Sequence, residues 1–220
     1  MCSLSEKLIT KLLIKMKKLN LSCILILAVA GLTLISCGKD KDETTPSNPN
    51  AGTFTDERDQ IIYKTIKIGD QVWFAENLKY DGPLAQGSSF DDSNGGRIYD
   101  WYAANVACPN GWRLPSDLDF RILENYLGMS DEDTAKIGFG VDRGAYKGMG
   151  LKLQIGGSTG FNFAIPEGPS NSRRVWTSTK ISSGNPNGDI LVRAFLRNGN
   201  SIDRGRSTEI SQMCVRCLKN

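Results

Sequence analysis

No histidine occurs among the 220 residues, so neither a Ser-His-Asp nor a Cys-His catalytic unit can be assembled, and no zinc can be held through imidazole. The reactive side chains left are six cysteines, at 2, 23, 37, 108, 214 and 217. Cys214 and Cys217 have dithiol spacing, but a redox pair needs a helix N-terminus to lower a thiol pKa, and nothing there starts a helix. A structural zinc is equally poorly served by three thiols without imidazole, so no metal ligand set is assigned. The second chemical resource is arginine. Residues 173–220 hold Arg173, Arg174, Lys180, Arg193, Arg197, Arg204, Arg206, Arg216 and Lys219 against Asp189, Asp203 and Glu209. Arg193 and Arg197 differ by an even number and so share one face of a strand, as do Arg204 and Arg206. Such a face suits carboxylated or sulfated ligands, which guanidinium groups bind bidentately; the plainer reading is a strand pair neutralised by Asp203, Glu209 and other carboxylates of the domain.

Oxygen-rich loops offer a third kind of chemistry. Asn185, Asn187 and Asp189 supply the amide and carboxylate oxygens a calcium ion takes, although Asn-Pro-Asn-Gly is also an ordinary turn. The acidic loops at 90–95 and 130–133 lack the ligand spacing of an EF-hand. Asp100, Asp117, Asp119 and Glu124 include carboxylates that a glycoside hydrolase could pair, yet helix-face and turn roles account for them, and no catalytic residue is assigned.

The elements that must carry these groups are short. Tyr63 to Ile68 alternate with period two, and Gly69-Asp70 turn the chain into Gln71–Ala75, a hairpin. Ser116 stands at an N-cap, and Leu118, Ile122, Leu123, Tyr126 and Leu127 recur at helical spacing before Gly128. Ser130 caps a second, shorter helix from Asp131 to Ile137. Residues 190–197 lead into Asn198-Gly199 and return through Ile202 to Arg204 as another hairpin, and Gln212 to Leu218 form a closing strand on which Cys214 and Cys217 face opposite sides. Two helices, several antiparallel strands and Gly-rich loops predict an α+β fold.

The N-terminus carries an address. Lys17 and Lys18 precede an apolar run from Leu21 to Ile35, the length of a signal segment and shorter than the roughly 20 residues a spanning helix needs. It ends in Leu34-Ile35-Ser36-Cys37, which resembles the lipobox of bacterial lipoproteins, in which the cysteine is acylated and becomes the first mature residue. Residues 1–36 are therefore expected to be a signal peptide starting at Met1 or Met16, with Cys37 the lipidation site and acyl chains as the membrane contact. Loss of that segment removes five lysines and one glutamate from the 27 basic and 24 acidic residues, leaving 22 and 23. That balance gives no basis for a nucleic-acid partner. Residues 37–51, charged and then rich in Thr, Pro, Ser and Asn, read as a solvated tether. The charged cluster at 38–43 resembles surface-export signals of outer-membrane lipoproteins. No second linker or repeat follows, so residues 52–220 form one domain.

Several segments in order resemble the Fibrobacter succinogenes major paralogous domain family: Gly52–Asp56, Tyr63–Gly69, Trp73–Leu78, Arg97–Trp101, Ala107–Ser116, Trp176–Thr179 and Val215–Cys217. Gly111-Trp112-Arg113-Leu114-Pro115 before a helix, with the later Trp176-Thr177-Ser178, is also similar to formylglycine-generating enzymes and the C-type-lectin-like fold. That likeness implies a loop-rich, two-helix domain whose terminal strands pair, not their chemistry. The family pattern places one Cys before Pro-x-Gly-Trp and one at the C-terminus, implying a Cys108–Cys217 disulfide; Cys108 with Cys214 remains an alternative. The loop at 185–189 lies about where sugar-binding C-type lectins carry a calcium loop. The expectation is a lipid-anchored, surface-facing outer-membrane protein presenting a non-catalytic domain to carbohydrate or another envelope protein. The alternatives are an enzyme on the formylglycine-type scaffold and a structural component of a surface assembly.

Overall fold

Ile62–Ile68 (β2) is a half-buried strand: Tyr63, Thr65, Ile66 and Ile68 are buried, whereas Ile62, Lys64 and Lys67 are exposed. The protein is described by a computed structural model in which residues 48–82, 88–91, 96–165, 171–182, 184 and 188–220 are placed. Cys37, Asn185 and Asn187 lie outside these described residues. Strand β1 (Ala51–Thr55) pairs antiparallel with β2, and β2 pairs antiparallel with β3 (Gln71–Phe74). Ile68 opposes Gln71 across the two-residue turn, where Gly69 takes a φ of 60° that a side chain would resist.

Further strands are β4 (Ser88–Asp91), β5 (Gly96–Tyr99), β6 (Trp112–Arg113), β7 (Ser172–Lys180), β8 (Ile190–Leu196), β9 (Ile202–Ser207), β10 (Met213–Cys214) and β11 (Leu218–Lys219). Among the described residues they form two sheets, ordered β1-β2-β3-β11-β6 and β4-β5-β10-β7-β8-β9. In the β8–β9 hairpin it is Asn198, with φ 56°, that takes the left-handed conformation.

Four short α-helices rather than two appear among the described residues: α1 (Trp101–Ala107), α2 (Asp117–Tyr126), α3 (Asp131–Ala135) and α4 (Met149–Leu153). Asp100 caps α1 by accepting from the Ala103 amide at 2.8 Å, and Cys108-Pro109 ends it, since proline cannot continue a helix. Ser116 caps α2 in a capping box with Asp119. Ser130 caps α3.

The helix expected after Ser116 is there, but only part of its apolar series faces inward. Leu118, Ile122 and Tyr126 are exposed, and α2 instead buries Asp117, Asp119, Phe120, Leu123 and Glu124. Carboxylates can take an inward face only where cations meet them, and here they do.

The closing strand is also corrected. Residues 212–218 divide into β10, in one sheet, and β11, in the other. Val215 and Arg216 carry the chain across, and Cys214 and Cys217 are both buried. Nor do the terminal strands pair: β2 and β3 lie between β1 and β11.

Two apolar clusters form the core. Tyr63, Phe74, Tyr99, Trp112, Trp176 and Val215 belong to one, and Ile66, Trp73, Phe120, Phe161, Phe195 and Ile202 to the other. Trp176 is fully buried and donates to the Tyr99 carbonyl at 2.7 Å; Trp101 is half-buried and donates to the Thr177 carbonyl at 3.0 Å. A disulfide joins Cys108, after α1, to Cys217, before β11, with Cα atoms 5.8 Å apart. Cys214 stays a buried thiol.

Candidate functional site

Arg193 on β8 and Arg204 on β9 are directly opposed across the sheet, an arrangement of like charges that is unfavourable unless something lies between them. Asp117 does so. Arg193 donates from Nη1 to Asp117 Oδ1 at 2.7 Å, and Arg204 donates from Nε and Nη2 to the two oxygens of the same carboxylate at 2.8 and 2.7 Å. Two helical turns along α2, Glu124 accepts from Arg193 Nε at 2.7 Å and from both terminal nitrogens of Arg143. Arg204 also donates to the main-chain carbonyl of Ala135, and the terminal nitrogens of Arg143 donate to those of Thr134 and Ile202, whereas Arg143 Nε is buried without a hydrogen-bond partner.

Burial alone would raise the Asp117 pKa; hydrogen bonds from Arg204 and Arg193 and the charges of both outweigh it and hold that carboxyl at about 2. Burial pulls Arg193 down, but the charges of Glu124 and Asp117 raise it on balance, whereas burial prevails at Arg143 and lowers it. With their oxygens held by guanidinium groups, Asp117 and Glu124 are placed to lock α2 onto the sheet. Asp119 is likewise gripped by Arg113, at 2.6 and 2.9 Å, which ties Gly-Trp-Arg-Leu-Pro to the helix it precedes.

The basic face expected from Arg193, Arg197, Arg204 and Arg206 is therefore not a surface. Arg193 and Arg204 are buried because they answer the α2 carboxylates, while Arg197 and Arg206 are half-buried. Asp189 is half-buried just before β8, its carbonyl accepting from the Ile181 amide at 2.8 Å. Its proposed partners Asn185 and Asn187 lie outside the described residues. Among the described residues no three Cys, Asp or Glu side chains cluster as metal ligands.

Sequence reasoning missed the groove that Arg206 does reach. Gly138 bridges to Arg204 at the outer edge of β9, its amide donating to the Arg204 carbonyl at 2.9 Å. This lays the Phe139 ring over Gly205, where a Cβ would stand 2.0 Å from Phe139 Cζ. The Arg174 guanidinium sits 4.7 Å above that ring, a cation–π contact. Ile137, Phe139, Arg174, Arg206, Ser207, Thr208 and Ser211 wall a groove of about 530 Å³. A second hollow of about 320 Å³ shares Arg174 and Ser211 and adds Ser172, Arg173 and Gln212. The hydroxyls form a chain: Ser207 donates to Ser211 at 2.9 Å, and Thr208 and Ser211 are 3.2 Å apart.

Arg174 is exposed, and among the described residues its guanidinium makes no hydrogen bond or ion pair. Together these groups offer a cation on an aromatic shelf beside several hydroxyls. That arrangement suits an oxyanion carried on a polar, hydroxylated body. One signal for it was present in the sequence: exposed Phe139 lies between two glycines, an apolar ring on a loop with no helical or strand period.

Residues 66–219 match the Fibrobacter succinogenes major domain; Gly52–Asp56, the first of the segments that carried the resemblance, precede the match. No curated protein and no solved structure matches the chain.

Proposed function

This chain belongs to the Fibrobacter succinogenes major domain family, and on that footing we propose that it is a lipid-anchored protein of the outer membrane whose domain binds acidic carbohydrate without catalysis. The observation that carries the reading is Arg174: an exposed guanidinium poised on Phe139 beside the hydroxyls of Ser207, Thr208 and Ser211. Guanidinium binds carboxylate or sulfate bidentately, and hydroxyl groups complement the sugar to which such a group is attached. A non-catalytic role agrees with Asp117 and Glu124 being committed to arginines. The C-type-lectin-like relation belongs to this reading, supported by Gly-Trp-Arg-Leu-Pro ahead of α2 and Trp-Thr-Ser in β7.

Full-length protein in detergent, applied to an array of uronic-acid, sulfated and neutral glycans, should retain the acidic ones. Arg174→Ala should weaken that retention about tenfold, a loss of the size expected for one charge-assisted contact, with unfolding unchanged. Equal retention by wild type and Arg174→Ala would remove the groove from the proposal.

The anchor rests on Leu34-Ile35-Ser36-Cys37. Each buried acyl methylene contributes about 0.8 kcal/mol, so several chains on Cys37 hold firmly. Cys37→Ser should abolish incorporation of labelled fatty acid and release the protein from the membrane fraction; persistent labelling would refute this assignment.

A further inference from the structure

Tyr126, the last residue of α2, is 65% exposed. Its ring rests on Gly69 in the β2–β3 turn, where a Cβ would come within 2.9 Å of Tyr126 Cδ2 and the φ of +60° already favours glycine. The ring is thus seated on bare backbone and stands at the wall of a groove of about 560 Å³. That groove shares no residue with the one around Arg174.

Ile68 and Leu127 also line it, and the polar groups of the groove come from four segments: Asn48 and Asn50 ahead of β1, Lys67 on β2, Lys152 on α4, and Ser158 with Thr159. The asparagines are held in place by backbone. The Asn48 carbonyl accepts from the Ala51 amide and the Asn50 carbonyl from the Lys67 amide, each at 2.8 Å. Asn48 Oδ1 also accepts from the Asn50 amide at 3.0 Å, which leaves its NH2 group as a donor. Lys152 Nζ and Thr159 Oγ1 donate to main-chain carbonyls at 2.9 and 2.6 Å. The side-chain amide of Asn50, the Lys67 ammonium and the Ser158 hydroxyl make no hydrogen bond among the described residues.

We propose that this groove is a second binding site, one that stacks the C–H face of a neutral pyranose ring on Tyr126 and hydrogen-bonds its hydroxyls through Asn48, Asn50, Lys67 and Ser158. A pyranose with equatorial substituents is apolar on its flat face and polar around its edge. The groove has the same division, with one aromatic shelf inside a polar rim. Amide groups suit sugar hydroxyls because each both donates and accepts. The proposal does not depend on the Arg174 groove taking an acidic glycan. Because Asn48 and Asn50 belong to the segment leading into β1, a bound sugar would also touch the end of the chain that connects the domain to its N-terminal region.

The test is calorimetric titration of the full-length protein in detergent with cellohexaose, with adenosine monophosphate as a second flat-ringed probe. Saturable binding of cellohexaose is expected. Tyr126→Ala should weaken it at least about tenfold and Asn50→Ala several-fold, while Tyr126→Phe and Arg174→Ala leave it unchanged. Tyr126 is exposed, and Asn50→Ala reads the same site should Tyr126→Ala fail to fold. No saturation by about 10 mM cellohexaose, or unaltered binding by Tyr126→Ala and Asn50→Ala, would overturn the proposal. Tyr126-dependent binding of the nucleotide in preference to the sugar would overturn the ligand class.

Discussion

Arg204 grips Asp117 with two hydrogen bonds, Nε to Oδ1 at 2.8 Å and Nη2 to Oδ2 at 2.7 Å. The same carboxylate takes Arg193, and Arg193 passes the contact on to Glu124 and Arg143. Three guanidinium groups from β8, β9 and the loop after α3 are thereby fastened to one face of α2. Breaking such a cluster by removing one partner leaves buried charge without compensation, which costs more than the intact cluster gains.

Asp117→Asn should therefore destabilise the domain by about 3–5 kcal/mol at neutral pH, read from urea unfolding. The acid limb gives a second measurement. Folding lowers the Asp117 pKa from 3.8 to about 2, so the unfolded chain holds this proton more tightly. The stabilisation is complete above the unfolded value and is lost as pH falls through about 2, amounting to about 2 kcal/mol. In Asp117→Asn that part of the acid dependence should vanish. An acid limb identical to wild type would show that the carboxylate is not held as described.

Cys108 and Cys217 are separated by 109 positions, and a loop of that length contributes about 4–5 kcal/mol on the chain-entropy account. Reduction, or Cys217→Ser, should lower the melting temperature by about 10 °C or more. Non-reducing peptide mapping should recover the 108–217 pair. Alkylation of Cys214, only 1% exposed, should require unfolding; rapid labelling of Cys214 in the native protein would contradict its burial.

Gly205 is predicted to matter for binding more than for stability. A methyl group there would displace the Phe139 ring, which is 47% exposed and can rotate into solvent. Gly205→Ala should thus change unfolding free energy by less than about 1 kcal/mol while depriving Arg174 of its shelf, so that acidic-glycan retention falls as it does in Phe139→Ala. Full retention in both variants would show that the ring does not position Arg174.

Much of the local structure was legible because its causes are local. Gly69-Asp70 set the first hairpin, Ser116 and Ser130 cap the helices that follow them, and Asn198 turns the second hairpin. Each depends on the backbone preference of a residue or on a side chain reaching three positions along. The ordered run of segments from Tyr63 to Cys217 was likewise sufficient to reveal the family. The short helices α1 and α4 escaped notice: neither carries enough residues for a period to emerge, and both are held by neighbours more than by propensity.

Periodicity states which residues share a face but not which face looks inward. On α2 the apolar series Leu118, Ile122, Leu123, Tyr126 and Leu127 did not say which side is inward: the fold buries Leu123 with Asp117, Asp119, Phe120 and Glu124 and leaves Leu118, Ile122 and Tyr126 exposed. That choice was made by Arg143, Arg193 and Arg204, which are remote in sequence and compensate the carboxylates only after the sheet has formed. For the same reason parity joined Arg193 to Arg197 and Arg204 to Arg206 without telling surface from core. The crossing of residues 213–219 from one sheet to the other, the seating of Phe139 on Gly205 beneath Arg174, and that of Tyr126 on Gly69 are contacts across long loops. The sequence by itself determined the family, the hairpins and the capped helices; charge compensation and close packing between distant segments decided where the arginines went and which rings were left exposed.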